Sequence, residues 1–385
     1  MTFRNPIVAG LSATALLATT AFAGGGGVDA PRNILLNELC VTPTANEFVE
    51  IYNASNDVVD LTNYYLNDAT FSGGDAYYYH IVDGGGGTAG GGGFGDFVAR
   101  FPAGSTIDPG ECLVISMSGS DGFLGAYGVL PDFELFDDAG AVDGVPQMLE
   151  AVAGSIGGQG GLTNSGEFCN IFYWDGTTDL VVDIDYTVWG DKVEAVSKTG
   201  IAKDGPDADS DTTAYADDIA IVDQEVIAGS AHGTGDSFSR ATLSEGTETN
   251  SGGNGQSGHD ETSENAEFTW NNDTASPCEL NAGQLSCHVT PNVAGPVDLT
   301  VKGGTASSGV LLLISANAGQ SAPGQCAGEG IGMDLAGGFI IGLVTDGLGE
   351  INVSDNMPAG LPDIFIQVFD VTACRASNTS VVNTL

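Results

Sequence analysis

The sequence predicts an all-β protein: an immunoglobulin-like β-sandwich with long insertions, followed by a second, small β-sandwich. Three observations lead there. Short segments rich in Val, Ile, Leu and aromatics recur along the chain, separated by turn residues. The clearest of them, Leu180 to Trp189, has a period of two, with Leu180, Val182, Ile184, Tyr186 and Val188 on one face and Asp183, Asp185 and Thr187 on the other. Gly accounts for 58 of 385 residues and charged residues for only 16%, the composition of strands joined by tight turns. No segment of comparable length carries a helical stripe.

The chain opens on a processing signal. Arg4 supplies positive charge, Ile7 to Thr20 an apolar run, and Ala21-Phe22-Ala23 a cleavage site, so residues 1–23 read as a signal peptide. Gly10, Ser12, Thr14, Thr19 and Thr20 interrupt the run too often for a membrane span. The expectation is an exported protein, secreted or extracellular, or held in the periplasm or at the cell surface, with no transmembrane segment after cleavage.

Strand-like segments then follow in order: Ile34 to Val41, Phe48 to Tyr52, Tyr64 to Leu66, Cys112 to Met117, Ile171 to Trp174 and Leu180 to Trp189. In the second of these, Val49 and Ile51 point to one side while Phe48, Glu50 and Tyr52 point to the other. Gly84–Gly87 and Gly90–Gly95, a glycine run around Thr88 and Ala89 with Phe94 inside it, lack the Gly-Lys-Ser/Thr of a phosphate-binding loop and read as a flexible loop. Residues 245–265 are polar and read as an exposed loop. From about Cys287 a second β pattern begins. Val297, Leu299 and Val301 alternate with polar residues, Val310 to Ile314 suits a buried strand, and Asp346-Gly347 reads as a turn between Ile340–Val344 and Ile351–Val353. Ile364, Ile366 and Val368 form a last strand.

Several of these segments, in this order, resemble the lamin-tail domain family. They are Ile34-Leu35-Leu36-Asn37-Glu38-Leu39, Glu47-Phe48-Val49-Glu50-Ile51-Tyr52-Asn53, Val59-Asp60-Leu61-Thr62-Asn63-Tyr64-Tyr65-Leu66, and Ile107-Asp108-Pro109-Gly110-Glu111-Cys112-Leu113-Val114-Ile115. Leu162 to Glu167, Ile171-Phe172-Tyr173, Val181-Val182-Asp183, Asp236 to Arg240 and Thr269-Trp270 continue the likeness, which runs over residues 30–277 with insertions at 70–100 and 190–235. The resemblance, to the exported bacterial type, implies an immunoglobulin-like sandwich used for binding or structure. Residues 286–380 are expected to form the second sandwich.

Charge and cysteines narrow the partners. Asp and Glu number 51 against 9 Lys and Arg, a formal charge of −42 that repels a phosphate backbone, so direct nucleic-acid binding is disfavoured. An extracellular protein or glycan is the expected partner. The seven cysteines contain no C-x-x-C pair, which argues against zinc and for disulfides. Cys326 with Cys374 is the preferred pair, leaving Cys278 with Cys287, although spacing alone does not fix connectivity.

No convincing catalytic constellation emerges. Glu38 and Glu50 are a candidate carboxylate pair, read as structural. Ser237 follows Gly235-Asp236 but lacks the α/β context of a nucleophile elbow, and His259-Asp260-Glu261 lacks helical metal-ligand spacing. For metal, the best motif is Asp207, Asp209 and Asp211 with Asp218 at the twelfth position, whose carboxylates can converge on Ca²⁺. Thr212 stands where an EF-hand needs Gly, and no flanking helices are evident. The reading is a non-catalytic extracellular recognition or adhesion protein. The alternatives are an accessory module of an exported nuclease or phosphoesterase system, and a metal-dependent hydrolase.

Overall fold

Alternating apolar positions in the first half of the chain give strands that pair into two facing sheets. The computed structural model describes residues 34–71, 76–83, 89–92, 95–136, 144–157, 161–229, 233–249, 251–281, 283–317, 319, 321, 326, 331–360 and 363–385. The expected signal peptide, residues 1–23, and much of the glycine run lie outside the described residues. The strands are β1 (Ile34–Cys40), β2 (Phe48–Asn53), β3 (Tyr64–Asn67), β4 (Val98–Arg100), β5 (Cys112–Ser116) and β6 (Phe133–Glu134). They continue as β7 (Leu149–Glu150), β8 (Glu167–Tyr173), β9 (Val182–Trp189), β10 (Asp236–Arg240) and β11 (Trp270–Thr274). One sheet runs β6-β5-β2-β1-β10-β11 and the other β7-β4-β3-β8-β9. All these pairings are antiparallel except β6 with β5.

Val49, Ile51, Leu66, Ile171, Trp189 and Phe238 are among the side chains that fill the space between the sheets. As the alternation in β2 requires, Phe48 turns the other way. It meets Phe123 and Tyr127 edge-on, in an eight-residue helix α1 (Ser120–Tyr127) that the sequence reading missed. Gly122 and Gly125 lower helix propensity, and Phe123 and Tyr127, four apart, are its short apolar stripe. Gly128, at φ 75°, ends it in the left-handed conformation that glycine adopts without a Cβ penalty.

β9 departs from its expected pattern. Its pairing with β8 passes from Ile171↔Asp185 to Phe172↔Asp183, so Ile184 is the extra residue of a β-bulge. Val182, Ile184 and Trp189 pack toward the inter-sheet core, whereas Tyr186 and Val188 pack on the opposite face. The single apolar face read from Leu180 to Val188 is therefore corrected: the bulge switches faces midway. The other set does not face solvent either, since Asp183, Asp185 and Thr187 are all buried.

The insertions explain that burial. Tyr78, Tyr79, Ala195, Val196 and Tyr215 cover the outer face of β3, β8 and β9, where Tyr65 stacks on Phe172 at 4.8 Å. Residues 245–265 are also not an exposed loop throughout. Glu245, Glu248, Asp260, Glu261, Thr262 and Glu264 are buried, and Asp183 N–H donates to Asn254 O at 3.1 Å, seating this segment on β9.

The second half has strands β12 (Ser286–Thr290), β13 (Gly295–Lys302), β14 (Gly309–Ser315), β15 (Phe339–Val344), β16 (Ile351–Met357), β17 (Ile364–Asp370), β18 (Arg375–Ala376) and β19 (Ser380–Val382). They form sheets β12-β13-β16 and β15-β14-β17-β18, with β19 also on β17. Between these sheets pack Cys287, Val289, Val301, Val310, Leu312 and Val368. Val310 to Ile314 is covered on both faces, because Leu311 and Leu313 join a further cluster with Phe369 and Met333. The Asp346-Gly347 turn does join two strands, but β15 and β16 belong to different sheets, so it is a crossover rather than a hairpin.

Polar contacts tie the halves together. Tyr52 Oη and His288 Nε2 are 2.8 Å apart, Asn378 Nδ2 donates to Ala54 O at 2.6 Å, and Val289 N–H donates to Asn56 Oδ1 at 3.0 Å. Gln284 Nε2 donates to Arg240 O at 2.9 Å. Cys326 and Cys374 form a disulfide, as expected. The second expected pair is corrected. Cys278 and Cys287 are both free thiols, the first exposed in the linker, the second buried in β12 among core side chains.

Candidate functional site

With 51 acids and 9 Lys and Arg, what matters is where the fold spends its cations. Arg240, the last residue of β10, is fully buried. Its Nη2 donates to Asp185 Oδ2 at 2.7 Å, its Nη1 to Glu264 Oε1 at 2.7 Å and its Nε to Leu36 O at 2.7 Å, while the guanidinium lies over Trp270 at 4.8 Å. The bulge brings Asp185 here, and its Oδ2 also accepts from Leu36 N–H at 2.6 Å. On the other face of β9, Asp183 pairs with Lys198, which is likewise fully buried. Lys198 Nζ also reaches Tyr78 Oη at 3.1 Å and lies 3.6 Å from Asp218. Burial opposes the Lys198 charge, but Asp183 and Asp218 outweigh it and leave the ammonium harder to deprotonate than usual.

Around Arg240 the acids outnumber their partners. Asp185, Glu245 and Glu261 each present a carboxylate oxygen within 4.8 Å of the others, and Glu245 shares a second such set with Glu248 and His259. His259 Nδ1 lies 3.0 Å from Glu248 Oε2. Burial, then neighbouring carboxylates, push Glu245 and Glu261 well above the usual range. Asp185 is raised to about 7, mainly by burial, with Arg240 pulling it down and Glu264 pushing it up. Asp185 Oδ1 has no hydrogen-bond partner although it is buried.

This group was not singled out from sequence, apart from His259-Asp260-Glu261 as a weak metal motif. Arg240 is one of nine basic residues, followed by Glu245, Glu248, Glu261 and Glu264. An arginine closing a strand ahead of four glutamates was the available signal.

The expected calcium ligands are not brought together. Asp218 is buried and accepts from Lys198 N–H at 2.6 Å, so it belongs to the lysine pocket. Asp207, Asp209 and Asp211 are exposed. Asp207 groups instead with Asp179 and Asp204, while Asp209 Oδ1 accepts from Asp211 N–H at 3.4 Å within the loop. The EF-hand-like reading is corrected because the twelfth residue is drawn away by a buried cation.

The candidate catalytic groups hold backbone. Glu38 and Glu50 are register partners in β1 and β2, both fully buried. Glu38 accepts from Ser237 Oγ and from Ser276 N–H at 2.9 Å. Glu50 accepts from Cys278 N–H and Asn37 Nδ2, both at 2.6 Å. Burial raises Glu50 to about 7 in spite of these donors. Ser237 is buried and its Oγ is shared between Glu38 and Ser239, at 3.0 Å from the latter. His288, held by Tyr52 and Ser55 O, is lowered to about 4 by burial.

These features define an all-β module whose buried charges join layers and linkers. Over residues 28–155 the chain matches the Lamin Tail Domain family. The match ends before β8, yet β8 to β11 complete both sheets of the same sandwich. Among solved structures, a DUF4876 family protein from Bacteroides thetaiotaomicron VPI-5482 is similar, at 15% identity and a TM-score of 0.38, over 65% of this chain and 74% of that one. No curated protein matches. Among the described residues no helix is long and apolar enough to cross a membrane.

Proposed function

We propose that the protein is a non-catalytic exported module, with its lamin-tail-like sandwich serving extracellular recognition or adhesion toward a protein or glycan. One observation carries this reading: Glu38 and Glu50, the acid pair best suited to acid–base work, are fully buried and clamp the N–H groups of Ser276 and Cys278. A general acid or base must reach the proton it moves. The Cys326–Cys374 bridge supports an oxidising destination, and the charge of −42 supports a partner other than a polyanion. β15 supports recognition as well, being the outer strand of its sheet with Phe339, Ile340 and Val344 exposed.

The test is saturable binding of the labelled mature protein to the surface or extracellular material of the producing cells. Binding should be competed by unlabelled protein and weakened in Ile340→Lys/Val344→Lys. Absence of saturable binding, or turnover of nucleic acids or phosphodiesters that is lost in Asp209→Ala, would contradict the reading.

A further inference from the structure

We propose that Asp185, Glu245 and Glu261 form a buried Ca²⁺ site that fastens the 245–265 segment to β9. Three oxygens no more than 4.8 Å apart lie within about 2.8 Å of a common point, close to the roughly 2.3–2.6 Å of Ca–O bonds. All three side chains are buried, and Asp185 Oδ1 lacks any partner. A buried carboxylate oxygen left without a donor is costly, and a cation bound by the Asp185 carboxylate would offset that cost.

The cations nearby are already committed. Arg240 serves Asp185 Oδ2 and Glu264, and His259 serves Glu248. The ligands arrive from three separate places: β9, the turn after β10, where Glu245 sits at φ 53°, and a short 3₁₀ turn, Glu261–Ser263. That surrounding loop is set by its own bonds, Thr247 N–H to Asn265 Oδ1 at 2.9 Å, Thr249 N–H to Ser263 Oγ at 2.9 Å and Gly255 N–H to His259 O at 2.7 Å. Gly255 packs against the Glu261 carboxylate, leaving no room for a Cβ. An all-oxygen, all-carboxylate set selects a hard cation over zinc, and burial favours Ca²⁺ over Mg²⁺, which gives up its waters reluctantly. This site is distinct from the exposed Asp207 loop and does not depend on the recognition reading.

The experiment uses the full mature protein, stripped with a chelator and titrated with Ca²⁺ or Mg²⁺ alone while melting temperature and binding heat are followed. The expected result is one Ca²⁺ bound, a rise in melting temperature larger than that with Mg²⁺, loss of both effects in Glu261→Gln and Glu245→Gln, and their retention in Asp207→Asn/Asp209→Asn. Wild-type protein that neither binds Ca²⁺ nor shifts would overturn the site. So would a Ca²⁺ response that survives in Glu261→Gln or disappears in the Asp207 loop variant. Should the Gln variants not fold, the wild-type titration and the loop variant decide alone.

Discussion

Asp183 and Asp185, two residues apart on β9, send their carboxylates to opposite faces of the strand, the first to Lys198 and the second to Arg240. The bulge at Ile184 makes this possible, because an unbroken strand would point both the same way. One edge strand thereby anchors the outer insertion layer on one side and the other sheet on its inner side.

The two aspartates differ in what their loss leaves behind. Asp183→Asn leaves Lys198 with only the more distant Asp218 as a charged partner, whereas Asp185→Asn leaves Arg240 bonded to Glu264 and removes one charge from a crowded acidic group. Urea unfolding at pH 7 with chelator present should show Asp183→Asn costing about 3 kcal/mol and Asp185→Asn less than about 1 kcal/mol. Equal losses would mean that the two pockets are not the separate ties described.

His288 predicts a pH dependence with a definite sign. Its folded pKa of about 4 lies below the usual 6.5, so the folded state holds the proton less tightly than the unfolded chain. Stability from this group is therefore full above pH 6.5 and is lost as pH falls toward 4. The raised carboxylates Glu50 and Asp185 act oppositely, gaining stability as pH falls through about 7. The comparison must be with His288→Gln: between pH 7 and pH 4.5 wild type should lose roughly 2 kcal/mol relative to the variant. Parallel curves would contradict the buried Tyr52–His288 contact.

The cysteine assignment is checked by counting thiols. Seven cysteines with one bridge leave five to react with maleimide after denaturation without reductant. Exposed Cys278 should be modified in the native protein while buried Cys287 is not. A count of three would indicate a second bridge. Because Cys326 and Cys374 are 48 residues apart, their replacement by Ala should cost up to about 4 kcal/mol on loop-closure grounds.

Much of the architecture was legible because side-chain alternation is a local property. Val49, Ile51, Val297, Val301 and Ile366 face their cores as their period of two requires. Burial of the opposite faces was not legible, because it depends on which distant segment covers them. Nothing local to Asp183 announces Lys198, and nothing local to Glu261 announces Asp185. The acidic run from Asp207 to Asp218 misled for the same reason: spacing suggested convergence, but a lysine twenty residues earlier takes the last member. Helix α1 escaped because two glycines in eight residues hide a one-sided pair of aromatics.

Buried carboxylates act as fasteners for backbone, and amide hydrogen exchange of the protein reads this most directly. The N–H groups of Leu36, Lys198, Ser276 and Cys278 donate to Asp185, Asp218, Glu38 and Glu50. All four should exchange as slowly as the core strands, even though Lys198, Ser276 and Cys278 lie outside any strand, and Glu50→Gln should speed exchange at Cys278 selectively. Exchange of Ser276, Cys278 and Lys198 at the rate of solvent-exposed loops would contradict the claim.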